Sequence, residues 1–189
     1  MKTNSISRHV NPLLALALLA AAVLACSGGG KNSDLDKANK LVEEGNASVQ
    51  EAKKFLSEAE DKKAQMMKTP VSQLAQARSL AAESVTAYDR TKDKCKEAAQ
   101  KYDEASRMKI NEKFRDYLIL KAKEFNKRAE VVETAKDTPQ AVIESTNRSS
   151  FVIRANANNQ KVAQLVKEAD DLAAQADKLQ KDNPNIFKS

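Results

Sequence analysis

Apolar residues recur between residues 35 and 66 at alternating spacings of three and four, and this regularity constrains the fold more than any other feature of the chain. Such spacing matches the a and d positions of a heptad repeat, which align on one side of an α-helix. The aligned positions are Leu35, Ala38, Val42, Gly45, Val49, Ala52, Leu56, Ala59, Lys63 and Met66. The pattern predicts a first helix that follows Ser33 as N-cap, ends near Lys68 and buries this side against other helices.

A second heptad repeat begins after the pair Thr69-Pro70. Thr is a common N-cap and Pro suits the first position of a helix, so this pair predicts the start of a second helix. Apolar positions then recur at a spacing of seven. They are Leu74, Ala81, Tyr88, Cys95 and Tyr102. We expect these five residues to face the interior of the molecule.

The apolar repeat changes register between residues 102 and 114. It resumes, two residues out of step, with Leu118, Phe125 and Val132. We predict a turn from Arg107 to Asn111, with Asn111 as the N-cap of a third helix, because uncapped helices much longer than about 25 residues are unusual in globular domains. One continuous helix with a discontinuity in its heptad repeat is the alternative.

The last third of the chain predicts further helix with two interruptions. The third helix is expected to end near Lys136, and Asp137-Thr138-Pro139 to open a short helical piece that Asn147-Arg148-Ser149 interrupts. A fourth helix then runs to about Lys181 with one apolar side. That side contains Phe151, Ala155, Asn158, Val162, Leu165, Ala169, Leu172, Ala176 and Leu179.

Heptad repeats joined by short connections predict an all-α fold, an elongated antiparallel four-helix bundle made of coiled-coil-like helical hairpins. The bundle is expected to span residues 34–182, and residues 183–189 to form a C-terminal tail in which Ile186 and Phe187 fold back onto it. The sequence is rich in strong helix formers such as Ala, Lys, Glu, Gln and Leu. Alternating strand-like runs and the hairpin turn pairs Asn-Gly and Asp-Gly are missing from it.

A different pattern occupies the N-terminal part of the chain. Lys2 and Arg8 precede an apolar run from Leu13 to Ala25, and no acidic residue occurs before Asp34. A charged start, an apolar run and a small-residue site form the layout of a secretory signal. The run is shorter than the about 20 apolar residues that a membrane-spanning helix needs. We therefore expect residues 1–25 to be a cleaved signal peptide, whose removal lowers the formal net charge from +6 to +4.

The apolar run closes with Val23-Leu24-Ala25-Cys26, which is an aliphatic residue, a second apolar residue, a small residue and a cysteine. This order resembles the lipobox of bacterial lipoprotein precursors. The resemblance implies that Cys26 receives a diacylglyceryl group, becomes the first residue of the mature protein and is acylated on its new amine, for example with palmitate. Two or more acyl chains hold a protein stably on a bilayer. An ordinary secretory signal, cut after Ala22 or Ala25, is the alternative and would release a soluble protein.

The same resemblance predicts where the protein resides. A serine after the lipidated cysteine favours outer-membrane sorting in Gram-negative lipoproteins, and Ser27 holds that position. Residues 26–33 contain the glycines Gly28 to Gly30 and are expected to form a flexible tether between the lipid and the bundle. The implied location is the cell envelope, at the outer membrane if the cell is Gram-negative.

Most familiar catalytic sites are excluded by the residue types that the predicted mature chain lacks. His9 is the only histidine and leaves with the signal peptide, so a Ser-His or Cys-His nucleophile pair and a histidine-bearing di-iron site cannot form. The chain has no glycine-rich phosphate loop, and carboxylates with a single cysteine make a poor zinc site. We therefore predict a non-enzymatic protein with no catalytic residues, no metal site and no cofactor.

Three residues of the apolar repeats have chemistry of their own. Cys95 is interpreted as a buried apolar filler, with a reactive thiol beside three neighbouring lysines as the alternative. Lys63 and Asn158 are expected either to lie near helix ends or to fix the register of the helices. A buried functional polar group is the alternative for these two positions.

Positive charge is concentrated between residues 90 and 128, where 13 basic residues face 7 acidic ones. Arg107 and Lys109 lie in the predicted turn, and Lys113 and Arg115 begin the third helix. Because the second helix of an up-down bundle returns towards the start of the first, we expect this turn near the lipid anchor. The four residues are candidates for contact with an anionic surface, and a solvated helix face is the plainer interpretation. Nucleic acid is not expected as a partner, since the aromatic-plus-basic pattern of single-strand binders is missing.

The expected function follows from the anchor and the fold together. We expect a lipid-anchored protein of the cell envelope that acts as a non-enzymatic structural or protein-interaction module. It would bind the membrane through lipidated Cys26, and a protein or an anionic envelope component would be its further partner. The alternative is an envelope protein that holds a small or lipid-like ligand between its helices. A ligand pocket needs large apolar and aromatic lining residues, whereas these repeats are rich in alanine.

Overall fold

The computed structural model describes residues 33–144 and 148–187, and within these ranges the chain is almost entirely helical, with no strand. The four long helices are α1 (Ser33–Lys68), α2 (Leu74–Ser106), α3 (Glu112–Glu144) and α4 (Arg148–Asp182), and a short helix, α5 (Pro184–Phe187), follows them. The predicted all-α helical bundle is confirmed. The predicted signal peptide and Cys26 lie outside the described residues.

Ion pairs between α1 and α2 show that these two helices run antiparallel. Lys101 Nζ, near the end of α2, lies 2.7 Å from Glu44 Oε2, near the start of α1. Lys62 Nζ, near the end of α1, lies 2.5 Å from Glu83 Oε2, near the start of α2. The start of each helix therefore lies beside the end of the other.

The later helices continue the same up-down order. Lys136 Nζ of α3 lies 2.8 Å from Asp89 Oδ1 of α2, and Lys127 Nζ of α3 lies 3.2 Å from Glu168 Oε2 of α4. The closest packing is between helices that are consecutive in sequence. We call the end with the start of α1, the α2–α3 turn and α5 the near end, and the end with the α1–α2 connection the far end.

The heptad prediction for α1 is confirmed. Eight of its ten aligned positions are buried, and only Leu35 and Lys63 are partly exposed. Burial of Gly45 has a local reason, since a Cβ there would lie 3.3 Å from Lys101 Cβ and 3.3 Å from the ring of Tyr102. A glycine thus allows α1 and α2 to approach closely at this level.

The start of α2 differs from the prediction. Thr69 does not cap α2, because its Oγ1 donates a hydrogen bond of 2.9 Å to the Gln65 carbonyl of α1. A turn of 3-10 helix at Val71–Gln73 follows Pro70, and α2 begins only at Leu74. Leu74 is 47% exposed, so its predicted burial was wrong. The predicted repeat continues beyond Lys68, where α1 ends, so α1 does not extend far enough to cover Leu74.

The predicted turn between α2 and α3 is confirmed. The α2 helix ends at Ser106 and α3 begins at Glu112. Asn111 Oδ1 accepts a hydrogen bond of 2.8 Å from the Lys113 backbone N–H, which satisfies one of the free donors at the start of α3. The continuous-helix alternative is therefore wrong.

Helix α3 runs past the predicted stop at Lys136 and contains Pro139 in its interior. Pro removes one helical hydrogen bond and usually bends or breaks a helix. Here Thr138, Pro139 and Ala141 are all buried, and their packing keeps the helix continuous to Glu144. The separate short helix predicted after Lys136 does not exist. Of the predicted interruption after it, Asn147 lies outside the described residues, and α4 begins at Arg148.

The C-terminal residues fold back as expected. Helix α4 ends at Asp182, and α5 carries Phe187 into the near end of the core. The ring of Phe187 lies 5.9 Å from that of Phe114 and 5.1 Å from that of Tyr117, both in edge-on arrangements. Such aromatic contacts are favourable beyond the area that they bury.

Candidate functional site

The predicted lipidation site lies outside the described residues, but the described part begins close to it in sequence. Cys26 precedes Ser33, the first residue of α1, by seven positions. The start of α1 belongs to the near end of the bundle, which also holds the α2–α3 turn. The near end is therefore the part of the bundle closest along the chain to Cys26.

The turn places Arg107 and Lys109 in solvent. The Arg107 guanidinium forms an ion pair with Asp103, one helical turn earlier, and its side chain is 74% exposed. Lys109 makes no ion pair with any residue that the structure describes. Both residues project from a turn that is tied to the core by Met108 and Ile110, which pack against buried residues.

Lys113 and Arg115 lie in the first turn of α3, next to the same connection. Lys113 is exposed, with its Nζ 3.9 Å from Asp116 Oδ2. Arg115 is partly buried, and no ion pair of its guanidinium occurs within residues 33–144 and 148–187. The structure thus brings all four predicted basic residues to one end of the bundle.

At the near end, the charges that α1 and α4 contribute cancel. The first turns of α1 contribute Asp34, Asp36, Lys37 and Lys40, and the last turns of α4 contribute Asp177, Lys178, Lys181 and Asp182. Two acidic residues in each group balance two basic ones. Residues 107–115 hold four basic residues and one carboxylate, Glu112, and the carboxylates of Asp103, Glu104 and Asp116 flank this stretch.

Cys95 lies in the middle of the bundle and is fully buried. Burial raises the pKa of its thiol to about 12, while the charge of Arg128 opposes that rise. The thiolate is the nucleophilic form, so a buried thiol with a raised pKa is inert near neutral pH. The predicted burial of Cys95 is confirmed, and its low reactivity stays a prediction.

Lys63 and Asn158 form hydrogen bonds within the bundle. Lys63 Nζ lies 3.3 Å from both oxygens of Glu60 and donates a bond of 3.3 Å to the hydroxyl of Tyr88. Asn158 Nδ2 donates a bond of 2.9 Å to Thr138 Oγ1, which joins α4 to α3. Their polar groups connect helices, which favours the register interpretation over a functional one.

A buried cluster of charges that the sequence analysis missed lies between α3 and α4. Glu124 is only 2% exposed, and it lies 2.5 Å from Lys121 Nζ and accepts a bond of 2.8 Å from Arg128 Nε. The other end of Arg128 lies 3.3 Å from Asp170 of α4. The spacing of Glu124 and Arg128 by four residues was visible, but the same spacing is common on exposed helix faces.

Lys53 of α1 lies near this cluster. Burial lowers the pKa of its ammonium group, and the nearby charge of Arg128 lowers it further. No ion pair of Lys53 occurs in the part of the chain that the structure describes. The cluster therefore holds α3 to α4 and leaves a partly buried cation on the side of α1.

A shallow groove of about 370 Å³ lies on the outer side of the α2–α3 pair. Its lining is mostly polar and small, with Ile119 as the one large aliphatic side chain. The lining residues are Lys96, Ala99, Gln100, Asp103, Ile119, Ala122, Lys123 and Asn126. The groove is open to solvent and lies outside the bundle interior.

Within the described ranges, no group of three or more histidine, cysteine and acidic residues is placed to hold a metal ion. None of the helices in those ranges combines the length and the apolar run that crossing a bilayer requires. Comparison of the chain with protein-family models, with curated protein sequences and with solved structures finds no match.

Proposed function

We propose that this protein is a lipid-anchored component of the cell envelope whose helical bundle acts as a non-enzymatic structural or protein-interaction module. The anchor would be Cys26, because the order of residues 23–26 resembles a lipobox. The observation that supports the second part is the buried apolar core of the bundle. Three buried apolar clusters follow one another from the near end to the far end.

The polar groups of the interior support a module rather than a ligand-binding core. The hydroxyl of Tyr88 donates to Glu60, and the hydroxyl of Tyr102 donates to Asn46 at 2.7 Å. Side chains that bond to each other across helices are not oriented towards a ligand. A ligand between the helices would have to displace these bonds, and unpaired buried polar groups are costly.

The outer groove between α2 and α3 is where the binding-protein alternative would place a ligand. Its volume is within the range of small-molecule sites, but such sites usually bury most of their ligand among apolar side chains. A groove that is open and lined by Lys96, Asp103 and Lys123 would leave a ligand partly in water. We therefore place this alternative second.

The far end offers the clearest exposed apolar side chains for a protein contact. Met67 is 57% exposed and Leu74 is 47% exposed, and they lie on the two sides of the α1–α2 connection. Methionine is common at adaptable protein-binding surfaces. These two residues would be held about 50 Å from the near end by a helix of 36 residues.

The proposal is tested by purifying the mature protein from detergent-solubilised membranes after cross-linking in cells. We expect a defined protein partner to be cross-linked to the wild type and lost from the Met67→Gln, Leu74→Gln double variant. A matched control is the Gln65→Ala, Gln73→Ala double variant, which changes two exposed residues of the same connection. Recovery of a stoichiometric small molecule without a protein partner would favour the binding-protein alternative instead.

A further inference from the structure

We propose that the near end of the bundle rests against anionic phospholipid headgroups through the α2–α3 turn. Arg107, Lys109, Lys113 and Arg115 would be the contact residues. The inference rests on the proposed lipid anchor at Cys26, and it adds an orientation of the bundle on the membrane. The far end, with Met67 and Leu74, would then point away from the lipid surface.

The distance along the chain from Cys26 to α1 limits how far the near end can move from the membrane. Seven residue steps separate Cys26 from Ser33. Even a fully extended chain of that length spans at most about 25 Å. Because α1 starts at the near end, this end is confined close to the lipid surface, whereas the far end is about 50 Å further along α1.

The geometry of the turn suits contact with a flat anionic surface. Arg107, Lys109 and Lys113 are exposed, and Lys109 forms no ion pair with the described residues. The hydrogen bond from Lys113 N–H to Asn111 Oδ1 fixes the start of α3, so the basic side chains extend from a defined backbone. Two of the four residues have a carboxylate beside them, because Arg107 pairs with Asp103 and Lys113 Nζ lies 3.9 Å from Asp116 Oδ2.

The attraction is small, and it needs only to be small. A basic residue near an anionic bilayer increases binding by about fivefold when unscreened, and the effect fades within a Debye length of about 8 Å at physiological salt. A tethered module meets the surface at a high effective concentration, so weak contacts suffice to select one orientation. The balanced charges at the ends of α1 and α4 neither add to this attraction nor oppose it strongly.

The test measures which end of the lipidated full-length mature protein faces the bilayer. A fluorophore is placed on a Glu112→Cys variant at the near end or on a Gln73→Cys variant at the far end, both at exposed positions. Cys95 is buried and its thiol pKa is raised, so the introduced cysteine is labelled selectively. The protein is inserted into vesicles of phosphatidylcholine, with or without phosphatidylglycerol, that carry a quencher on their headgroups.

The variant that removes the contact replaces Arg107, Lys109, Lys113 and Arg115 with Gln. A matched control replaces four exposed lysines elsewhere on the bundle with Gln, which changes the net charge equally. Those four are Lys54, Lys68, Lys161 and Lys167. Circular dichroism checks that both variants keep their helix content.

We expect quenching at position 112 to exceed quenching at position 73 severalfold on phosphatidylglycerol vesicles, and to fall when salt is added. The turn variant should lose this difference, and the control variant should keep it. Equal quenching of the near-end probe on neutral and anionic vesicles, in protein that remains vesicle-bound, would overturn the inference and leave the anchor intact. Protein that does not stay with vesicles of either kind would overturn the anchor and the inference together.

Discussion

The phenol hydroxyl of Tyr102 on α2 donates a hydrogen bond of 2.7 Å to Asn46 Oδ1 on α1. Two heptads away on both helices, the hydroxyl of Tyr88 donates to the carboxylate of Glu60. The two bonds cross the same helix pair at matching positions of antiparallel repeats. A slip of either helix by one residue would break both, so this pair of tyrosines fixes the register of α1 against α2.

Replacing Tyr102 with Phe is expected to lower the free energy of unfolding by about 1 kcal/mol, since it removes one net hydrogen bond between helices. In a double-mutant cycle with Asn46→Ala, the coupling between the two changes should be at least about 0.5 kcal/mol. Urea unfolding of the four proteins measures both values. The control is Tyr117→Phe, because the Tyr117 hydroxyl makes no hydrogen bond among the described side chains. If Tyr102→Phe lowers the free energy of unfolding no more than this control does, Tyr102 does not fix the register of the two helices.

Removing one charged side chain of the buried cluster should lower the free energy of unfolding more than removing two. In the Arg128→Leu variant, Glu124 stays buried with only Lys121 beside it. Loss of one partner of a buried ion pair typically costs about 3–5 kcal/mol, whereas replacing both partners with apolar residues can be nearly neutral.

Thermal or urea unfolding of the Arg128→Leu and the Glu124→Leu, Arg128→Leu proteins checks this expectation. The double variant should be the more stable of the two. If the double variant is instead less stable than the single variant, the Glu124–Arg128 pair stabilises the fold by more than the desolvation of its charges costs. That result would contradict the prediction.

Stability should fall at alkaline pH partly through Cys95. Its thiol pKa is about 12 in the folded protein because of burial, against about 8.5 for an exposed cysteine. Between these values the unfolded chain loses the thiol proton while the folded chain keeps it, so the free energy of unfolding decreases as pH rises. Below the unfolded pKa this contribution is constant.

Two measurements check the Cys95 prediction in a Cys26→Ser background, where Cys95 is the only remaining thiol. Between about pH 9 and pH 11, the Cys95→Ala protein should lose stability less steeply than its parent. At neutral pH, alkylation of native Cys95 should be slow and should speed up with added denaturant. Rapid alkylation of the folded protein would show that the thiol is accessible and reactive.

Much of the fold could be predicted from the sequence because alternate spacings of three and four leave few other structures. The aligned side of α1 and the Asn111 cap of α3 follow directly from residue types and spacing. The errors at Leu74 and Pro139 have a common cause. Local patterns do not show where a neighbouring helix ends, as at Leu74, or where buried packing carries a helix through a proline, as at Pro139.

Less of the candidate site than of the fold could be predicted from the sequence. The up-down order of the helices predicted that Arg107, Lys109, Lys113 and Arg115 would share one end with the start of α1, and the structure places them there. Their contact with an anionic surface stays a prediction. The pairing of Arg107 with Asp103 is a local contact at a spacing of four residues. The burial of Glu124 depends on tertiary packing, which spacing alone cannot reveal.

The lipid anchor is tested most directly by mass spectrometry of the N-terminal peptide of the mature protein from the membrane fraction. The account predicts that Cys26 is the first residue and carries acyl chains on both its thiol and its amine. The Cys26→Ser protein should lack these groups and leave the membrane fraction. An unmodified peptide that starts at Val23 or at unmodified Cys26, in protein recovered from the soluble fraction, would show an ordinary secretory signal and contradict the central claim.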